Sequence, residues 1–97
     1  MVSAYSRTLA FRDISPQAPA HVLVITRAHL ANLAELSAAG DNLLADLIAH
    51  AHDVAVSEGI AEDGYRVVFN TGAEGGQTAG HVHAHVLGGR RMSWPPG

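Results

Sequence analysis

Near the C-terminus, histidine and aliphatic side chains alternate without a break through His81-Val82-His83-Ala84-His85-Val86-Leu87. A period of two is the mark of an extended strand whose two faces differ in chemistry, and a helix would scatter the same residues around its axis. Val82, Ala84 and Val86 therefore face a core, while His81, His83 and His85 face away from it. Histidine has no special strand propensity, and a strand that needed only a solvated face would use Thr, Lys or Glu. The pattern points to a function at the three rings.

Three chemistries compete for them. Alternate residues on a strand stand about 6.6 Å apart and the outer two of three about 13 Å apart, too far for all three rings to close on one ion with bonds near ~2 Å. Two adjacent rings could hold a metal with a third ligand from elsewhere, but the chain has no Cys and no Asp or Glu adjoins the run. No resident metal and no cofactor are expected. Solvated or core-satisfied histidines are the bland alternative. Phosphate chemistry fits best, because imidazole is a nucleophile that is largely neutral near neutral pH, and flanking rings can donate to phosphate oxygens or fix a tautomer.

The rest of the composition narrows the setting. A chain of 97 residues makes one domain, small enough that a partner chain would help to finish its core, so a homodimer is expected. A net charge of −3 with only six Lys and Arg excludes a nucleic-acid backbone as the main ligand, whereas a single nucleotide needs only a few aimed donors. The absence of cysteine removes disulfides and thiolate chemistry and agrees with a reducing cytosol. Residues 1–7 lack the apolar run of a signal peptide, and no stretch of about 18 apolar residues is present to span a membrane. A cytoplasmic protein is expected.

Along the chain, strands are predicted over 8–12 and 21–26, joined by a turn that Pro16 and Pro19 stiffen. A helical turn over 32–36 ends at Ala39-Gly40. Asp41 then reads as the N-cap of the main helix, with Leu44, Leu47, Ile48, Ala51, Val54 and Ala55 on one face and a Schellman stop at Gly59-Ile60. His50 and His52 lie about 200° apart around that helix and are expected at the surface or an interface, with no shared chemistry. Another strand follows over 65–71. A glycine-rich loop over 72–80 then enters the histidine strand, and glycines there let backbone N–H groups approach an anion. The order gives an α+β domain, an antiparallel sheet with the main helix on one face and the histidine face open.

The run His81 to Leu87 resembles the His-φ-His-φ-His-φ-φ motif of the histidine triad (HIT) family. The continuation Gly88-Gly89-Arg90 and Met92-Ser93-Trp94-Pro95-Pro96-Gly97 resembles its Hint branch, the histidine triad nucleotide-binding proteins. The Fhit branch would carry Pro-Arg in place of this Gly-Gly-Arg, and the galactose-1-phosphate uridylyltransferase branch replaces the last His by Gln. The segments 11–19 and 70–78 are similar to the Hint branch too, so the likeness runs from about Thr8 to Gly97.

The resemblance implies a HIT-like fold and a purine nucleoside phosphoramidase that cleaves P–N bonds such as those of adenosine 5′-phosphoramidates. AMP, GMP and phosphoramidate derivatives would be its small-molecule ligands, with no nucleic acid and no membrane. His83 would attack the α-phosphorus to form a nucleotidyl-histidine, oriented by His81 and His85. Asp13 would bind the ribose hydroxyls, and Phe11 and Ile14 the base. Asn70, Gly76, Gln77 and Thr78 would contact the α-phosphate, Thr78 standing where Ser is usual. His21 would join the histidine network, and Trp94 would reach toward the partner's site. The family's N-terminal segment, which covers the base, has no match in residues 1–7, so an open base pocket is expected. Thr26 also departs from the pattern, standing where Pro usually follows the strand. A nucleotide-binding or scaffolding module without turnover, and a His-ligated metal site, are the rival readings.

Overall fold

The aliphatic run around residues 20–26, the longest strand and rich in β-branched residues, becomes the middle of the sheet. The computed structural model describes residues 1–97, with strands β1 (Ser3–Ala4), β2 (Thr8–Arg12), β3 (Ala20–Thr26), β4 (Tyr65–Val68) and β5 (His83–Gly88), and helices α1 (Leu33–Ala38) and α2 (Leu43–Ser57) between β3 and β4. All neighbours are antiparallel in the order β1-β2-β3-β5-β4, so β5 is inserted between β3 and β4.

Register decides which residues share a face. Leu23 pairs with His85, Ile25 with His83, and Phe11 with Leu23, so these side chains stand together on one face with His21 and Leu87. Val22, Val24, Ala84 and Val86 take the other face and meet Leu47, Ala51, Val54 and Ala55 of α2 in the core. Burying each Val or Leu there is worth about 1.5–3 kcal/mol relative to exposure. The sequence-based expectation holds: one main helix covers one face and the histidine face is left open.

Several details differ. The buried stripe of α2 runs through Leu43, Leu47, His50, Ala51, Val54 and Ala55, whereas Ile48 is 44% exposed and Leu44 only half-buried. The helix is rotated toward His50, which is fully buried rather than at the surface. Its ring nitrogens lie 2.6 Å from Ser3 Oγ and 2.6 Å from Thr8 Oγ1, so hydroxyls on β1 and β2 offset the cost of burying it. His52 does stay exposed, 2.7 Å from the Tyr65 hydroxyl.

Asp41 is not the N-cap. Asn42 takes that position with φ 57°, following Asp41 at φ 52°, and its side chain makes no capping bond. A left-handed backbone is tolerated by Asp and Asn, but it turns the side chain away from the helix's free N–H groups.

At the other end the expected stop is present. Gly59 has φ 74°, its N–H reaches Val56 O, and Ile60 N–H reaches Ala55 O, which is the Schellman pattern. The strand expected over 65–71 is β4 and ends at Val68, and β5 begins at His83, so His81 lies just outside the ladder. No helix is long and apolar enough to cross a membrane.

Candidate active site

β5 delivers His83 and His85 onto the open face, and the segment before it brings His81 to the end of β3. Phe11, Leu23 and Ile25 supply an apolar floor beside them. With Asp13, Thr78, Ala79 and the three histidines they line a cleft of about 490 Å³. A second cleft of about 470 Å³ lies on the other side of His85, lined by His21, Arg66, Asn70, Arg90 and the C-terminal residues among others. His85 is the wall between the two.

Hydrogen-bond logic fixes the tautomers, because a backbone group can play only one role. His83 Nδ1 lies 2.9 Å from the carbonyl of His81, so that nitrogen carries the proton and donates. Its Nε2 is left as a free lone pair. His81 Nε2 is 2.7 Å from the carbonyl of Thr26 and must likewise donate, which leaves Nδ1 as an acceptor 3.3 Å from Nδ1 of His29.

On the other side, the backbone N–H of Gln17 donates to His21 Nδ1 at 3.0 Å. His21 therefore carries its proton on Nε2, which donates to His85 Nδ1 at 2.9 Å. His85 in turn must carry its proton on Nε2. That atom is buried and has no partner. A buried donor left unpaired is costly unless something arrives to accept from it. Burial first, then the neighbouring rings of His83 and His21, lower the pKa of His85 below the ordinary imidazole value, while Asp13 pulls it back up. The ring is thus neutral at pH 7, with one N–H waiting for an acceptor.

Asp13 sits in the turn after β2. Its Oδ1 accepts from the N–H of Ser15 at 2.8 Å, and its Oδ2 lies 3.5 Å from His21 Nε2. The first contact is an Asx turn that aims the carboxylate.

The glycine-rich loop is folded onto itself. Gly76 N–H reaches Ala73 O and Gln77 N–H reaches Gly72 O, and the Gln77 amide binds the carbonyls of Ala31 and Ala79. Gly75 approaches Thr71 so closely that a Cβ there would collide with the Thr71 carbonyl. These bonds spend the N–H groups of Gly76 and Gln77 inside the loop and hold Thr78 beside the histidines.

Of the residues singled out in the sequence, His81, His83, His85, Asp13, Phe11 and Thr78 are thus gathered around one cleft. His21 and Asn70 line the adjoining one. Ile14 and Trp94 stay apart, 99% and 81% exposed. The sequence reading missed Leu23 and Ile25, whose alternation with Val22 and Val24 already set them on the face of His21. It also missed His29, for which no local signal exists, since its partner is 52 positions away.

A family model described as HIT domain matches residues 1–92. A protein named purine nucleoside phosphoramidase from Escherichia coli is 49% identical over 83 residues, covering 86% of this chain and 70% of its own. One named 14 kDa zinc-binding protein from Zea mays is 50% identical over 93 residues, covering 94% and 72%. Among solved structures, a HIT family hydrolase from Legionella pneumophila superposes with a TM-score of 0.93 at 47% identity, covering 99% of this chain and 86% of that one.

Proposed function

The chain belongs to the HIT domain family, and from that premise we propose that it is a nucleotide hydrolase of the phosphoramidase type, cleaving the P–N bond of adenosine 5′-phosphoramidates. The observation that carries the reading is the free Nε2 of His83, held unprotonated toward the cleft by the bond from Nδ1 to the His81 carbonyl. The name of the Escherichia coli relative supports the substrate class.

In the proposed reaction His83 Nε2 bonds to the α-phosphorus as the P–N bond breaks, and the departing nitrogen takes a proton from solvent and leaves as the amine. The phosphorylated ring is then a cation, whose Nδ1–H still points at the His81 carbonyl and is stabilised by it. The orphan N–H of His85 finds its acceptor in a phosphate oxygen, the Thr78 hydroxyl in the same cleft is a spare donor for the charge that builds there, and the Asn70 amide would reach the phosphate from the adjoining cleft across His85. Water next attacks phosphorus, the P–Nε2 bond breaks to return neutral His83, and one proton goes back to solvent, giving AMP. Phe11, Leu23 and Ile25 would floor the base and Asp13 would accept from the ribose hydroxyls.

Zinc is the ligand in the name of the maize relative, and one set here could be considered for it, since the donor atoms of Asp13, His21 and His85 lie within 4.8 Å of one another. Those residues do not fit a metal as they stand. The Gln17 N–H occupies Nδ1 of His21, so Nε2 bears the proton and has no lone pair to give.

A cytoplasmic homodimer is part of the same proposal. Ile48 and Val56 on α2 and Val67 on the edge strand β4 are exposed, and a second copy would cover them. Sedimentation at micromolar concentration should report twice the chain mass, and a stable active monomer would refute the dimer. The chemistry is tested by acid-quenched single turnover with an adenosine phosphoramidate. A nucleotidyl adduct on His83 is expected. Reversible stoichiometric AMP binding with no adduct would mean a binding module instead.

A further inference from the structure

His21 has one N–H and two acceptors within reach of it. His85 Nδ1 lies at 2.9 Å and takes the bond in the neutral site, while Asp13 Oδ2 lies at 3.5 Å. The choice between them is coupled to protonation. His85 can take a second proton only at Nδ1, and that sets two N–H groups against each other across the 2.9 Å contact. Gln17 blocks the escape in which His21 moves its own proton to Nδ1, because a backbone N–H already points there. The one outlet left for the His21 N–H is the Asp13 carboxylate, whose orientation the Ser15 N–H fixes.

We propose that Asp13 is a positioning residue of the histidine chain: it is the second acceptor for the Nε2–H of His21, and a vicinal diol that occupies Asp13 holds that N–H on His85, and with it His85 as a tethered neutral donor to the phosphate. The proposal rests on the nucleotide reading for the identity of the diol, a ribose, but not for the switch itself. Binding at the sugar end is thereby linked to proton binding at the phosphate end, and the linkage is reciprocal.

The other charged or titratable groups around His85 do not provide this outlet. His83 on β5 and His21 on β3 oppose its protonation. Arg66 on β4 and Arg90 beyond β5 line the cleft on its far side and are cations. His81 shares the near cleft, but its Nε2 donates to Thr26. Asp13 is the anion in the set, and it acts on His85 in the favourable direction.

The test is the imidazole nitrogen NMR signal of His85, followed through pH in the full chain and in Asp13→Asn. Asparagine keeps an oxygen for the Ser15 N–H and loses the charge. In the free protein the substitution should move the His85 titration midpoint to lower pH. In the wild type, saturating AMP should give a lower midpoint than saturating 2′,3′-dideoxy-AMP, which carries the same phosphate without the diol. That difference should vanish in Asp13→Asn. An unmoved midpoint in the variant, or equal midpoints for the two nucleotides while AMP binds more tightly, would overturn the proposal and leave Asp13 as a ribose contact alone. Should neither nucleotide bind, the nucleotide reading fails, and the free-protein comparison still decides whether Asp13 governs His85.

Discussion

Two histidines lie against opposite faces of the same sheet, one fully buried and the other half-buried, and only the second keeps a ring nitrogen without a partner. His50 has both ring nitrogens paired, with Ser3 and Thr8 hydroxyls at 2.6 Å each, and Tyr5 stacks on it at 3.9 Å. His85 has one nitrogen paired and the other buried without a partner. The partners differ as well. A hydroxyl can turn to donate or accept, so His50 is satisfied in either tautomer, whereas His85 bonds to a ring whose own proton is fixed by the Gln17 backbone. Burial lowers the pKa of both. What separates them is the unpaired nitrogen of fixed role beside a cleft, and burial or a shifted pKa alone would not have told them apart.

The largest expected effect is on turnover. His83→Ala should lower phosphoramidate hydrolysis by on the order of 10⁴-fold or more while AMP affinity stays within about tenfold, because the nucleophile is one atom and the binding groups are many. His50→Ala should leave turnover per folded molecule within about threefold, as expected for a site on the far face of the sheet. Steady-state rates and AMP titrations of the two variants measure this contrast. Comparable losses of turnover would break it.

On stability the order reverses. His50→Ala removes a fully buried ring and strands two hydroxyls, for a cost of about 2–4 kcal/mol from the cavity and the lost pairing. His83 is half-buried on the open face, so its replacement should cost under about 1 kcal/mol. Urea midpoints at one protein concentration decide the point. A His83→Ala variant that loses as much as His50→Ala would show the triad strand to be structural too.

The same contrast explains what could be read in the chain beforehand. The triad was legible because strand alternation is local: His81, His83 and His85 announce a shared face within seven residues. The helix stop at Gly59 was legible for the same reason. His50 was not placed correctly, since its partners lie 47 and 42 positions upstream and the short strand β1 that carries Ser3 has no sequence signature. Yet one signal was present. Positions 43, 47, 50 and 54 share a helix face by spacing alone, and choosing Leu44 and Ile48 for the core, on hydrophobicity, turned the face away from a histidine that pays its desolvation through hydroxyls. The tautomer chain from Gln17 through His21 to His85 was beyond sequence reading, because it depends on where a single backbone N–H points.

The smallest expected effect is on the pH dependence of stability. Both histidines bind protons less readily when folded than in the unfolded chain, where the ordinary value is 6.5. The unfolded state therefore holds more protons in the window just below 6.5, and stability must rise with pH there. The contribution is complete above the unfolded value and is lost as pH falls through 6.5 toward the lowered folded values. Each group can add at most about 1.4 kcal/mol per pH unit to the slope. His50→Gln keeps an amide to bond Ser3 and Thr8 but cannot titrate, so its stability should fall less steeply than the wild type's between about pH 7.5 and 5.5, above the range where carboxylates dominate. His85→Gln should flatten the slope in the same sense. The two substitutions should add, since the groups lie on opposite faces of the sheet and share no partner. A slope unchanged by His50→Gln would mean that rotation of the two hydroxyls accommodates the imidazolium as readily as the neutral ring, and the two histidines would then differ in proton affinity as well as in pairing.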